Sequence, residues 1–190
     1  MSVATPLGHM CVGLAWAWIV DGSRATRGRA ATSAACAALA DLDFLPGLAI
    51  GDPARFHHGP SHSVAVLTAM ALGILACWSR IRPLEKRDVA LVLGAVLSHL
   101  VIDFFTDDPG IRRGLPLAWP LSTGRVLSPL WVIPAVERAW PLNRTWVGHT
   151  AWLVLAEAAT FAPWALGAWV AAGRPGLTRV SVAASAGGAR

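Results

Sequence analysis

Five apolar stretches, at about residues 3–20, 30–50, 62–79, 88–106 and 146–171, each approach the ~20 residues an α-helix needs to cross a ~30 Å hydrocarbon core. Inside lipid every backbone N–H and C=O must find its partner within the protein, so stretches of this kind fold as spanning helices. Composition agrees, because 55% hydrophobic against 14% charged residues is not the balance of a soluble globule of this size. Ten Trp and no Tyr point the same way, since the Trp ring pairs an apolar body with a donor suited to the headgroup level. The expected class is all-α: a polytopic membrane protein with about five transmembrane helices and a polar metal site near one membrane face. Residues 1–172 form one transmembrane helical domain, and the Gly-, Ala-, Ser- and Arg-containing tail, 173–190, is expected to be disordered. A weaker stretch at 126–140, broken by Pro129 and Pro134, reads as re-entrant or interfacial.

The formal charge of +5 is spread in small groups between apolar runs, which is the pattern of topology signals and gives no reason to expect nucleic acid. Arg24, Arg27 and Arg29 follow the first stretch, Arg80, Arg82, Lys86 and Arg87 the third, and Arg174, Arg179 and Arg190 the fifth. Positive loops stay in the cytoplasm, so the bias predicts N-terminus out, C-terminus in and five crossings of a bacterial inner (plasma) membrane. The N-terminus lacks the charged start of a signal peptide and is expected to be retained as the first span. Cys11, Cys36 and Cys77 lie in apolar runs without C-x-x-C spacing and read as small buried hydrophobes.

The chemistry lies in polar residues within or beside these runs. His99 and Asp103 stand at i, i+4 and project from one helical face, a spacing that lets them share a metal ion or simply a buried hydrogen bond. Asp41 and Asp43, at i, i+2, point apart on a regular helix and can serve one site only if the helix ends here, as Pro46-Gly47 suggests. Otherwise they are solvated carboxylates of a helix end. His57-His58-Gly59-Pro60-Ser61-His62-Ser63 has the glycine and proline of a turn, with Ser61 as expected N-cap of the third stretch. Its imidazoles are either solvated or, beside carboxylates, ligands of a set suited to zinc, iron or manganese. His9 sits near the start of the first stretch. In the predicted topology all these residues fall toward one face. Glu157, in an apolar run, is either functional or a paired structural carboxylate, and His149 lies eight residues before it.

In order, Gly8-His9, Ala40-Asp41-Leu42-Asp43, the His57 to Ser63 turn, Ser98-His99-L-V-I-Asp103, Gly114 and Leu117-Ala118-Trp119-Pro120 resemble the pattern of the YdjM-like proteins. That family is described as LexA-binding, inner-membrane-associated and metal-dependent hydrolase-like. Its pattern has an early Gly-His, a P-D-x-D, an H-R-G-x-T-H-S and an S-H-x-x-x-D. The resemblance covers about residues 8–120. Ala40 replaces the proline, His58 the arginine and Ser61 the threonine. The family is in turn similar in motif order to zinc-dependent phospholipase C, whose zinc ions are held by His and Asp. The further H-x-x-x-E of those enzymes is absent here, because Leu153 stands four residues after His149.

The residues and the resemblance together imply a membrane-embedded metal-dependent hydrolase, phosphoesterase-like, in which one or two divalent ions, zinc foremost, activate water against a phosphoester. Expected ligands are His9, Asp41, Asp43, His57, His62, His99 and Asp103, with Asp41 or Asp43 bridging ions or taking the proton. The sequence does not decide between Asp41 and Asp43, nor between His57 and His58. Expected partners are membrane lipid and a small-molecule or lipid phosphoester, amphiphilic or extracytoplasmic, at a site on the extracytoplasmic side. Two other classes fit the same residues. An ion- or proton-coupled transporter needs polar groups at several depths along a pore, and a membrane-anchored regulatory protein with a structural metal needs a closed coordination shell.

Overall fold

The computed structural model describes residues 5–52, 55–107, 113–133 and 144–173. Among them are six α-helices and no strand: α1 (Pro6–Asp21), α2 (Arg27–Ala37), α3 (Phe44–Ala49), α4 (Val64–Ser79), α5 (Lys86–Phe104) and α6 (Arg144–Ala171). The all-α expectation holds, and four of the five apolar stretches correspond to α1, α4, α5 and α6. Of the described residues, one stretch inside a helix, Val154–Ala171 of α6, is long and apolar enough to cross a bilayer; α4, with 16 residues, is apolar but shorter. The interfacial reading of 126–140 falls outside the described residues from 134 onward, and the disordered tail does so from 174 onward.

The second stretch is not a continuous helix. Helix α2 stops at Ala37, a 3-10 turn occupies Leu39–Asp43, and α3 follows. The break precedes Pro46-Gly47, which lie inside α3. Pro46 is tolerated there because it is the third residue of α3, where a backbone N–H has no intrahelical partner to lose.

Helix α5 is the central element, packing on α1, α2 and α4, while α1 also packs on α2 and α6. The period of 3.6 decides the contacts. Leu67, Ala71 and Leu75 on one face of α4 meet Val92, Ala95 and Val96 of α5, with Cys36, Ala37 and Ala40 closing the cluster. Small residues let α1 approach closely: a Cβ on Gly13 would come within 2.6 Å of the Ser33 carbonyl oxygen, and one on Gly94 within 2.3 Å of the Trp16 ring. Leu72, Val101, Trp152, Leu155, Trp164 and Leu166 face outward, an apolar exterior that needs an apolar surrounding.

The helices alternate in direction, so one pole gathers the end of α1 with the starts of α2 and α5. There Asp88, fully buried, receives Arg82 through two hydrogen bonds of 2.8 and 2.7 Å and Arg29, which also binds Asp21. Asp88 further accepts the Glu85 N–H at 2.9 Å in a capping box that starts α5. The opposite pole gathers the start of α1, the end of α2, the start of α4 and the end of α5.

Candidate metal centre

At that second pole the chain collects five buried histidines and the carboxylates expected from the sequence: His9, His57, His58, His62 and His99 with Asp41 and Asp103, all less than one-tenth exposed. Asp43 stands just behind them.

Each element supplies its side chain for a local reason. His99 and Asp103, one turn apart on α5, meet at 3.0 Å (Nε2 to Oδ2). The end of α2 leaves the carbonyl of Ala37 without an intrahelical partner, and His99 Nδ1 hydrogen-bonds to it at 2.7 Å. The helix end is thus itself part of the site. His9 enters from α1, its ring stacked on that of His99 with centroids 3.7 Å apart and Nε2 3.2 Å from Asp103 Oδ1. Gly8 precedes it because a Cβ there would press on Glu157 and Phe161 of α6, at 3.1 and 3.2 Å. Glu157 accepts the backbone N–H of Thr5, just before α1, at 2.5 Å and also its hydroxyl, holding the start of α1 from α6.

The 3-10 turn separates the two aspartates. Asp41 turns inward, with its carboxylate oxygens 4.0 Å from His9 Nε2 and 3.9 Å from His99 Nε2. Asp43 has both oxygens engaged: Oδ1 with His57 Nδ1 at 3.0 Å, Oδ2 with the Ser61 hydroxyl at 2.7 Å and His62 Nδ1 at 3.1 Å. Ser61 is therefore not the N-cap of α4. A 3-10 turn at Pro60–His62 moves the helix start on, and Ser63 caps α4 by accepting the Val66 N–H at 3.2 Å.

His58 takes up a left-handed backbone at φ 54°, and Gly59 follows because a Cβ there would lie 2.7 Å from the Phe56 carbonyl oxygen. This tight turn buries three imidazoles in six residues. Arg125 clamps the turn, donating to the carbonyls of His58 at 2.9 Å and Gly114 at 2.6 Å. Gly114 in turn has φ 81°, and its neighbour Leu115 pairs with Val126 through two 2.9 Å backbone bonds. Residues 113–133 so form the cover of the site. The roles of Arg125, Ser61 and the Ala37 carbonyl were not legible in the sequence, since none belongs to a ligand-type spacing.

The donor set fits a metal ion. His99 and His62 use Nδ1 on the Ala37 carbonyl and on Asp43, leaving Nε2 directed inward, and His57 does the same through Asp43. Both nitrogens of His9, Nε2 of His57 and both oxygens of Asp103 are buried without completing a hydrogen bond, a costly arrangement in an apolar interior unless something else satisfies them. Burial lowers the His57 pKa to about 3 against the opposing pull of Asp43, so that ring is neutral at physiological pH, the form that ligates. The inward atoms His62 Nε2, His99 Nε2 and Asp103 Oδ2 are separated by 3.1, 3.4 and 3.0 Å. Donors at ~2.0–2.1 Å from one ion would be spaced at roughly those lengths. Two further groups, His9 with Asp41 and His99, and His57 with His58 and His62, also bring their donors within 4.8 Å of one another.

All seven residues expected as ligands thus lie in or against one cluster, and His58 joins them. His149 lies on α6, and its side chain falls outside the described residues.

Over residues 4–174 the chain matches the model of a family described as YdjM inner membrane protein. No curated protein and no solved structure matches.

Proposed function

The chain belongs to the YdjM inner membrane protein family, and on that premise we propose that it is a membrane-embedded, metal-dependent hydrolase of phosphoesters. The observation that carries this reading is the triangle of His62 Nε2, His99 Nε2 and Asp103 Oδ2, with sides of 3.0–3.4 Å, the spacing of donors that share one ion.

His62, His99 and Asp103 would hold a divalent ion, zinc being the best match to imidazole and carboxylate donors. His9 and Asp41, and His57 and His58, are the further donors that could hold a second. An ion held there supplies a Lewis acid that lets water act as a nucleophile near neutral pH. Asp41, inward-facing, takes the proton from that water, while Asp43 orients the rings of His57 and His62 and fixes which nitrogen faces inward. Such outer carboxylates hold the ligating tautomer and raise ligand basicity. The sequence treats the two aspartates alike, whereas these distances support a different task for each.

In this reading α1, the α2–α3 segment, α4, α5 and α6 make five crossings with the metal centre toward the extracytoplasmic face. The charge bias supports that direction, with the Arg29–Asp88–Arg82 pole in the cytoplasm. A transporter is disfavoured because, among the described residues, the space between the two poles is filled by Leu67, Ala71, Val92, Ala95 and Val96, with no polar path. A structural metal differs by a closed shell. The deciding experiment loads the detergent-purified protein with zinc and offers it phosphomonoesters and phosphodiesters; chelator-sensitive turnover supports the hydrolase, and metal uptake with no turnover supports the structural role.

A further inference from the structure

From Leu115 to Ile133 the cover contains one charged residue, Arg125, and that guanidinium is turned inward onto the carbonyls of His58 and Gly114. Three consecutive side chains that face outward are apolar: Leu130, Trp131 and Val132 are 66%, 64% and 75% exposed. Single exposed apolar residues are ordinary, whereas a contiguous group marks a surface that meets something other than water.

The backbone beneath these side chains is paired within the protein. Ser128 Oγ donates to the Leu130 carbonyl at 2.6 Å and accepts the Leu130 N–H at 3.1 Å. The N–H groups of Val132 and Ile133 both donate to the Phe105 carbonyl, at 2.9 and 3.2 Å, and the Ile133 carbonyl accepts the Asp107 N–H at 3.0 Å. Pro129 has no N–H to satisfy. Unpaired polar groups are what keep irregular backbone out of lipid, and these bonds lower that cost. Ile133 ends the segment by packing with Ile102, Val12 and Phe161. Phe161 belongs to the Val154–Ala171 stretch of α6, which is long and apolar enough to cross a bilayer.

We propose that residues 130–132 form a lipid-contact surface. In a chain of an inner membrane protein family the occupant is the bilayer leaflet beside α6, met at the boundary between headgroups and acyl chains. Trp131 suits that level, because its ring is apolar and its N–H can reach a polar headgroup. Trp131 also borders the cleft of about 20 Å³ that reaches Asp103, so the lipid contact and the cover of the metal centre are one segment. This seating of the cover holds whether or not the metal centre hydrolyses an ester.

The test uses the full-length protein in phosphatidylcholine nanodiscs, freed of its own thiols by Cys11→Ala, Cys36→Ala and Cys77→Ala. Bimane is placed by Leu130→Cys or Val132→Cys, with wild-type helical circular dichroism as the check on folding. Leu166→Cys, on the outward side of the α6 stretch, gives the reference in lipid, and bimane–glutathione the reference in water. A lipid spin-labelled at carbon 5 of its acyl chain is expected to quench both cover labels at least half as much as the Leu166→Cys label. Aqueous iodide is expected to quench them at least threefold less than bimane–glutathione. Iodide quenching as in water, with none from lipid, would place the segment in solvent and overturn the assignment. Shielding from both quenchers would give the face to another protein surface and overturn it equally. In the unsubstituted chain, a phosphatidylcholine with a diazirine near its glycerol backbone is expected to label residues 130–132; label on α6 with none on this segment counts against the contact.

Discussion

Asp43 Oδ1 lies 3.0 Å from His57 Nδ1, and on the far side of that ring Nε2 is buried with no hydrogen bond. The carboxylate thus fixes an imidazole whose other nitrogen is left for an ion. Asp43→Asn keeps the shape but removes the charge that orients His57 and His62, and should weaken zinc binding about 10–100-fold without loss of helical content. Calorimetric titration of zinc into the apo-protein measures this. Asp41→Asn should instead lower turnover more than affinity.

Asp88 tests the opposite pole. Its carboxylate gathers Arg29 and Arg82 where α1, α2 and α5 meet, and its removal takes a charged partner from the partly buried Arg29 while Arg82, 43% exposed, turns to water. Asp88→Ala should destabilise the protein, seen as a lower thermal midpoint in detergent. Metal stoichiometry should not change, because among the described residues the space between the two poles is filled by apolar packing.

These two cases mark what the sequence can carry. His99 and Asp103 are legible because a helix fixes the direction of residues four apart, and four of the five apolar stretches mark where single helices lie. Asp41 and Asp43 are indistinguishable in sequence, since their difference arises in a 3-10 turn set by tertiary contacts. Arg29, Arg82 and Asp88 carry their net positive charge to one pole, as topology signals do, yet their pairing spans 59 residues between Arg29 and Asp88 and no local pattern announces it. Ser61 loses its expected capping task to Ser63 because Pro60 opens a 3-10 turn first. Among the described residues α6 alone holds a stretch both long and apolar enough to span, because α1, α2 and α4 are short and the 19 residues of α5 carry charged groups at both ends.

Glu157 gives a third test. By accepting the N–H and hydroxyl of Thr5 it acts as an N-cap supplied from another helix, and it seats the turn of α1 that carries His9. Glu157→Ala should cost about 1 kcal/mol, the usual worth of a cap, and Glu157→Gln should recover part of it. Chemical denaturation followed by circular dichroism would show the order wild type, Gln, Ala.

Acid should weaken the metal-free fold. His57 is held neutral, with its pKa lowered to about 3 from the ordinary 6.5, so between those values the unfolded chain binds the proton that the folded chain refuses. Stability from this ring is complete above about pH 6.5 and is lost as the pH falls toward 3, by up to about 1.4 kcal/mol per pH unit. Thermal midpoints of the apo-protein between pH 7.5 and 5 should fall accordingly, and His57→Gln should flatten the slope.

The central claim is that the His62, His99 and Asp103 triangle holds a divalent ion, and elemental analysis of the zinc-reconstituted, dialysed protein tests it most directly. The account predicts at least one zinc per chain in the wild type and a loss of at least about tenfold in affinity for both His99→Ala and Asp103→Asn, with helical circular dichroism preserved. A folded wild-type protein that retains no zinc, manganese or iron would contradict it.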